Sequence, residues 1–420
     1  MARLPLLLLL LAAPAAAAPL PPLTTSDFDL DMFQGPVLGS TRVIGLGGAY
    51  SAIAEEAVGI PFNPATPAHR TYYSQGRFDW DLAFDFLLPG LFQPESFDFD
   101  NNGRGASVDT IALSMGGQIQ YRSFGVGLYV RGQLGDNLEL GSPARSYDVG
   151  LWLVQVAVAY AFLDHQLIVG GGPRLGLFNL ATTIDNKAQS IYQVQALGGE
   201  AGVLIRPTGW PVRLAASFSS PLSSEAPKEC ATECPGGFIL PRGVALPWEV
   251  RIGASYHYGA VPFNRVPVFP KKAKKKRGAP VSQPASPPAP SAPPDPEQSY
   301  RGGFYLLVSA EVGLTGGVDE AIGTDSFLEQ VREPAGGSLS VSPRLGVESE
   351  VWRRRLRLRG GSYWEPTRFS GASGRIHGTF ALDVRLFDFS LWGPRSLRFS
   401  SAVDLASRYS NLSLSLGFWH

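Results

Sequence analysis

Long stretches of this chain alternate apolar and polar side chains residue by residue. A period of two becomes one apolar and one polar face only when the backbone is extended. In Gly378-Thr379-Phe380-Ala381-Leu382-Asp383-Val384-Arg385-Leu386 the even positions after the glycine are apolar, and the odd ones are Thr, Ala, Asp and Arg. Arg355-Leu356-Arg357-Leu358-Arg359 repeats the pattern with stronger contrast. Asp79, Asp81, Ala83 and Asp85 interleave with Trp80, Leu82, Phe84 and Phe86. Val250, Ile252, Ala254, Tyr256 and Tyr258 interleave with Glu249, Arg251, Gly253, Ser255 and His257, and Leu412, Leu414, Leu416 and Phe418 do so near the end.

A soluble sandwich also alternates, so other features must place these strands. Charged residues make up 17% of the 420 residues, well below the roughly 25% of soluble domains. The segments run to about ten residues or more, the length a tilted strand needs to cross a bilayer. Aromatics collect near segment ends (Trp80, Trp152, Trp352, Trp364, Trp392, Trp419), as interfacial girdles require. About 14 candidate strands can be marked. They cover 73–86, 108–122, 124–134, 147–163, 166–184, 190–206, 211–220, 247–258, 303–314, 341–352, 355–365, 376–387, 396–406 and 410–419. Long connections follow the first, third, seventh and ninth. Arg122-Ser123, Leu163-Asp164-His165 and Pro207-Thr208-Gly209 mark short turns. The expected fold is therefore all-β: a transmembrane antiparallel barrel over 71–420. The balanced formal charge of +0 argues against a nucleic-acid partner.

The first residues match an export signal. Arg3 is followed by the apolar run Leu4 to Ala13 and by Ala15-Ala16-Ala17 at cleavage spacing, so 1–17 is expected to be a signal peptide cut after Ala17. The run falls short of the roughly 20 residues of a membrane-spanning helix. Residues 18–70 lack strand alternation. Helix formers follow Gly47-Gly48 through Ala57, and Asn63-Pro64-Ala65 stops them. That segment belongs either in the periplasm or inside the barrel.

The stretch Gly47-Gly48-Ala49-Tyr50-Ser51-Ala52-Ile53-Ala54-Glu55-Glu56-Ala57, with Phe62-Asn63-Pro64-Ala65 after it, resembles the N-terminal signature of the FadL family of outer-membrane hydrophobic-compound transporters. Pro343 to Glu348 and Arg357 to Pro366 resemble the same family's penultimate region. The resemblance implies that 18–70 forms a hatch inside a 14-stranded barrel, with Asn63, Pro64 and Ala65 in the hatch motif. Two positions depart from the family: Glu55 and Glu56 stand where two Asp are frequent, and Thr66 stands where Gly is usual.

Several clusters are chemically distinctive. Arg355, Arg357 and Arg359 share a strand face near Glu348, Glu350 and Asp383. An Arg facing lipid near the midplane would cost about 2–4 kcal/mol, so the lumen is their place. There they form either an ion-pair network or a grip for an anionic head group. Asp98, Asp100, Asn102 and Asp109 follow calcium-loop spacing with Gly103 at the turn, and an Asx-rich turn reads equally from those residues. Cys230 and Cys234, the two cysteines of the chain, suit a local disulfide in an oxidising compartment. Within 262–299, Lys271 to Arg277 and the Pro-rich run after it cannot build a core. This insertion is either plain solvated chain or a contact for anionic lipid head groups.

No nucleophile–base motif stands out, the five histidines are scattered, and no cofactor is expected unless that loop takes calcium. The chain is expected in the cell outer membrane as a monomer among lipids. It would serve not as an enzyme but as a passive path for hydrophobic or amphipathic molecules such as fatty acids, as the resemblance implies. The alternative is a barrel that scaffolds or shuttles exported proteins.

Strand parity makes a topological prediction. With the N-terminal segment starting on the periplasmic side, the connection after the eighth strand is periplasmic and those after the first and seventh are outside. Protease added to intact cells should leave Lys271–Arg277 uncut; cleavage there with the outer membrane intact would refute the strand count.

Overall fold

A computed structural model describes residues 19–33, 35–71, 74, 76–92, 96–104, 109–140, 145–184, 187–225, 239–259, 262–267, 305–391 and 394–419. The expected signal peptide, Cys230 and Cys234, and the insertion from residue 268 onward, with Lys271 to Arg277, lie outside the described residues.

Fourteen antiparallel strands close into a barrel. They are β2 (Phe78–Pro89), β3 (Asp109–Tyr121), β4 (Phe124–Leu140), β5 (Arg145–Phe162), β6 (Leu167–Ile184), β7 (Lys187–Ile205) and β8 (Val212–Ser219), then β11 (Glu249–Gly259), β12 (Tyr305–Thr315), β14 (Ser340–Trp352), β15 (Leu356–Glu365), β16 (Arg375–Ser390), β17 (Pro394–Ala406) and β18 (Tyr409–Phe418). Each pairs with the next, and β18 closes on β2 with Leu412 opposite Leu88 and Leu416 opposite Phe84. Closure removes the unpaired edges that a bilayer could not hydrogen-bond. The strands fall where the alternation put them.

The alternation also fixes which face points where. On β16, Arg375, His377, Thr379, Ala381 and Asp383 are buried, whereas Ile376 and Phe380 are exposed. Ile119, Leu197, Ile252 and Leu345 are likewise exposed on other strands. The apolar face is therefore the outer one, the reverse of a soluble sandwich and the arrangement lipid demands. Among the described residues no helix is long and apolar enough to cross a membrane. The girdle expectation needs correction. Trp352 and Trp364 are exposed, but Trp80 and Trp419 are buried. Arg395 lies over the ring of Trp80 and Arg357 over that of Trp419, so both indoles pack with inward-facing guanidinium groups.

A second, four-stranded sheet stands at the long-loop end. Strand β1 (Asp29–Asp31) pairs in parallel with β10 (Gly243–Leu246) and β13 (Ala321–Gly323), and β9 (Leu222–Glu225) adds antiparallel to β10. Phe28, Leu30, Ile322 and Phe327 pack beneath it. From there the chain descends through the lumen. At the short-turn end Arg70 donates to the carbonyls of Arg122 and Arg77 at 2.9 and 2.7 Å. Between these ends, residues 37–70 pack against inward-facing groups of the strands.

The helix expected after Gly47-Gly48 does not form. A five-residue helix, α1 (Thr41–Gly45), precedes the glycines instead, capped by the Ser40 hydroxyl. Gly47 and Gly48 take left-handed φ of 58 and 76°, and Ala54 and Glu56 do too. Four left-handed residues in ten leave no room for a continuous helix. The chain passes instead through single turns that follow the wall.

The wall is cut back to receive it. A Cβ added at Gly170 would lie 2.0 Å from the Pro64 carbonyl oxygen, and one at Gly202 would lie 2.2 Å from Asn63 Oδ1. The Asn63 amide then ties the plug to the sheet: Nδ2 donates to the carbonyls of Ser51 and Val203, both at 3.1 Å. Its Oδ1 accepts from the Ala65 N–H at 3.0 Å. Leaving such buried groups unpaired costs about 1–3 kcal/mol. Asn63→Ala should therefore loosen this turn and raise single-channel conductance to small ions in planar bilayers. Unchanged conductance would remove Asn63 from any role in sealing the lumen.

Candidate ligand-binding site

The inner face of a closed barrel carries the polar half of every strand, so its charges meet one another in a confined space. Arg42 of α1 is bound on three sides, by Glu348 of β14 at 3.0 Å, Glu56 at 2.9 Å and Glu55 at 3.1 Å. Glu55 also accepts from Arg213 of β8 at 2.8 Å, and Glu56 from Arg398 of β17 at 3.0 Å. The adjacent acids Glu55 and Glu56 thus bridge the plug to two well-separated strands.

Arg359 belongs to the same network. It meets Asp383 of β16 at 2.6 Å and Glu348 at 2.5 Å. Arg357 pairs with Glu350 at 3.2 Å and stacks on Trp419 at 4.2 Å. Both guanidinium groups thus make ion pairs with fixed carboxylates of the wall. Arg355 separates from them: it is exposed in the turn between β14 and β15 and does not face the lumen.

Among the described residues, three of the cavities left beside the plug are bounded by Met32 and Leu151. One, of about 310 Å³, is lined almost wholly by apolar side chains, among them Leu153, Phe178, Val194 and Leu222. The second, of about 710 Å³, shares Leu153 and Leu246 with the first and gathers Arg131, Arg174, Arg251 and Arg344. Their anchoring is incomplete. Arg131 donates to the Leu38 carbonyl at 2.9 Å, and Arg251 to the Pro61 carbonyl and to Glu249 at 2.8 and 3.0 Å. The Nε atoms of Arg174 and Arg251 have no hydrogen-bond partner among the described residues, with Glu200 and Glu311 at 4.0 and 3.9 Å. Buried guanidinium donors left open in this way would welcome an acceptor. The third cavity, of about 810 Å³, opens at the long-loop end and includes Asp100, Gln133 and Asp325.

Asp98, Asp100 and Asn102 sit in the loop after β2. The Asn102 and Gly103 N–H groups donate to Asp98 at 3.1 and 2.9 Å, and the Arg104 N–H to Asn102 at 2.7 Å. These are Asx-turn bonds. The side chain of Asp109 lies outside the described residues, and among those described no group of three or more His, Cys, Asp or Glu is placed to hold a metal ion. The four arginines of the inner chamber were not singled out in the sequence. Each does sit at inward parity on its strand, as in Tyr129-Val130-Arg131-Gly132-Gln133, and that parity is the signal that could have found them.

No protein-family model matches this chain, and no curated protein does. Solved structures of similar fold do exist. A Pseudomonas aeruginosa FadL homologue matches over 92% of this chain and 99% of its own, at TM-score 0.54 and 10% identity. The P. putida toluene transporter TodX matches over 91% and 98%, at TM-score 0.50 and 12% identity. The CymD monoaromatic hydrocarbon channel matches over 90% and 96%, at TM-score 0.50 and 11% identity. At such identities the likeness is one of architecture, and it extends over nearly the whole of each chain.

Proposed function

We infer that this protein is a passive path for hydrophobic or amphipathic small molecules across the outer membrane, fatty acids among them, and not an enzyme. The observation that carries the reading is the pair of inner cavities. An apolar pocket against Leu151, Phe178 and Val194 shares its wall with a chamber of four arginines. Apolar lining with a few convergent polar groups is the usual make-up of a small-molecule site. An alkyl or aryl body would fill the first cavity, and an acidic head group would take hydrogen bonds from Arg174 and Arg251 in the second.

The physical setting supports it. An apolar outer face seats the barrel in lipid, and lipopolysaccharide slows apolar solutes that try to cross unaided. A molecule crossing the barrel would move between discrete cavities around Met32 and Leu151. The names of two similar structures, a toluene transporter and a monoaromatic hydrocarbon channel, belong to the same chemical class.

Binding of decanoate and of toluene to the full-length protein in lipid nanodiscs tests the reading. Leu151 borders all three cavities, so Leu151→Trp should fill them and weaken both ligands by about tenfold or more. Arg174→Gln should weaken decanoate and spare toluene. Heat-dependent migration on gels checks that each variant still forms its barrel. Failure of the wild-type protein to bind either ligand would overturn the uptake reading, all the more if an exported protein co-purified with it.

A further inference from the structure

The outer cavity differs in chemistry from the two below it. Met32, Phe99, Leu151, Leu328 and Phe369 give it an apolar body. Gln133, only 5% exposed, lines it, and neither atom of its amide has a hydrogen-bond partner among the described residues. Asp100 brings a buried Oδ2 that is equally unpartnered, and Asp325 of the short helix α2 (Thr324–Leu328) lines the same space.

Cations nearby are already paired with carboxylates, although Arg104 Nε has no hydrogen-bond partner among the described residues. Arg368 in the wall is held by Asp31 at 2.8 Å and by the carbonyls of Gly316 and Gly336, both at 3.1 Å. Arg104 is taken by Glu329, by Glu333 at 2.8 Å and by Ser326 at 2.9 Å. The open hydrogen-bonding capacity of this cavity is therefore two carboxylates and one amide, mostly acceptors. The inner chamber, which shares Met32, Phe33, Gly35 and Leu151 with it, offers guanidinium donors. Compartments of opposite preference thus lie side by side along the lumen.

We propose that the outer cavity is a head-group site for small hydrophobes that carry a hydrogen-bond donor, a hydroxyl or an ammonium, and that it disfavours permanent anions. The inference deepens the uptake reading and rests on it, because the cavity lies at the long-loop end and would be met first from that side. Gln133 can accept from such a head group with its oxygen, and Asp100 and Asp325 supply charge-assisted acceptors. Burial, followed by the carboxylates of Glu329 and Asp98, pushes Asp325 up to about 7. Burial and then Asp325 hold Asp100 well above the usual carboxylate range. Carboxylates that resist ionisation for want of a counter-charge gain most from a cation and lose most from a second anion. A carboxylic acid would enter this cavity in its neutral form and meet the arginines only further in.

Three water-soluble probes with one ring and different heads test the site: benzylammonium, benzyl alcohol and benzenesulfonate. Their binding to the full-length protein in lipid nanodiscs would be measured by titration calorimetry, with empty nanodiscs subtracted. Changing Asp100→Asn together with Asp325→Asn leaves the arginine chamber untouched. The ratio of benzylammonium to benzenesulfonate affinity should fall by about tenfold or more in that variant. Gln133→Leu should weaken benzyl alcohol by about fivefold. If the double variant does not form its barrel, Asp325→Asn alone is read in the same way. An affinity ratio that the carboxylate changes leave unmoved overturns the head-group inference, even where decanoate and toluene bind. If no probe binds and decanoate and toluene fail as well, the uptake reading falls with it.

Discussion

A sheet that closes on itself in lipid must turn its polar side chains inward, and everything inside this barrel follows from how those charges are partnered. An isolated ion in the lumen would carry a desolvation cost of several kcal/mol. Here Arg42, Arg359 and Arg398 each meet carboxylates from different elements. Arg42 touches Glu55, Glu56 and Glu348, and Arg359 joins Glu348 to Asp383. Such pairs are weak sources of net stability. Removing one partner is costly all the same, about 3–5 kcal/mol, because the other charge is left buried alone. The plug thus adds to the apolar packing of Val43, Ile44, Ile53 and Phe62 the need of wall arginines for Glu55 and Glu56.

Charge alone would not let the plug lie flat against the wall. Gly170 and Gly202 do that by leaving out the Cβ that would strike the Asn63-Pro64 turn. The two devices are complementary. Glycines on β6 and β7 bring the backbone of the plug within reach of the sheet, and Asn63 then spends its amide on the Val203 carbonyl. On the opposite side of the lumen the arginines do the tethering. Residues 57–68 press closely on β4 to β6, and the cavities around Met32 and Leu151 are what remains elsewhere between segment and wall.

Sheet register also sets the two inward arginines of β15 apart from the scattered arginines of the inner chamber. Arg357 and Arg359 sit on neighbouring inward positions opposite Glu350, Glu348 and Asp383, so the sheet register itself neutralises them. Arg131, Arg174, Arg251 and Arg344 come from four strands and converge across the lumen. Glu249 pairs with Arg251 at 3.0 Å, but Glu200 lies 4.0 Å from Arg174 and Glu311 lies 3.6 Å from Arg344. A contiguous run of charge in sequence finds its counter-charge across the ladder, whereas convergence of distant residues leaves donors open to a ligand.

The sequence by itself determined the barrel, because a period of two read over ten-residue stretches names both the strand and its two faces. Turn positions such as Arg122-Ser123 and Leu163-Asp164-His165 followed from the ends of that pattern. Parity was also enough to send Arg357, Arg359 and Asp383 inward. Only the tertiary structure decided the rest. Arg355 and the indoles of Trp80 and Trp419 depart from their expected places because a strand end can turn out or in without disturbing the period. The path of residues 19–70 was not legible, since turns built on left-handed residues carry no periodicity and a stretch of helix formers mimics a helix. The cavities were least legible of all. They are the space between a plug and a wall whose residues lie far apart in the chain, and no local pattern records the distance between them.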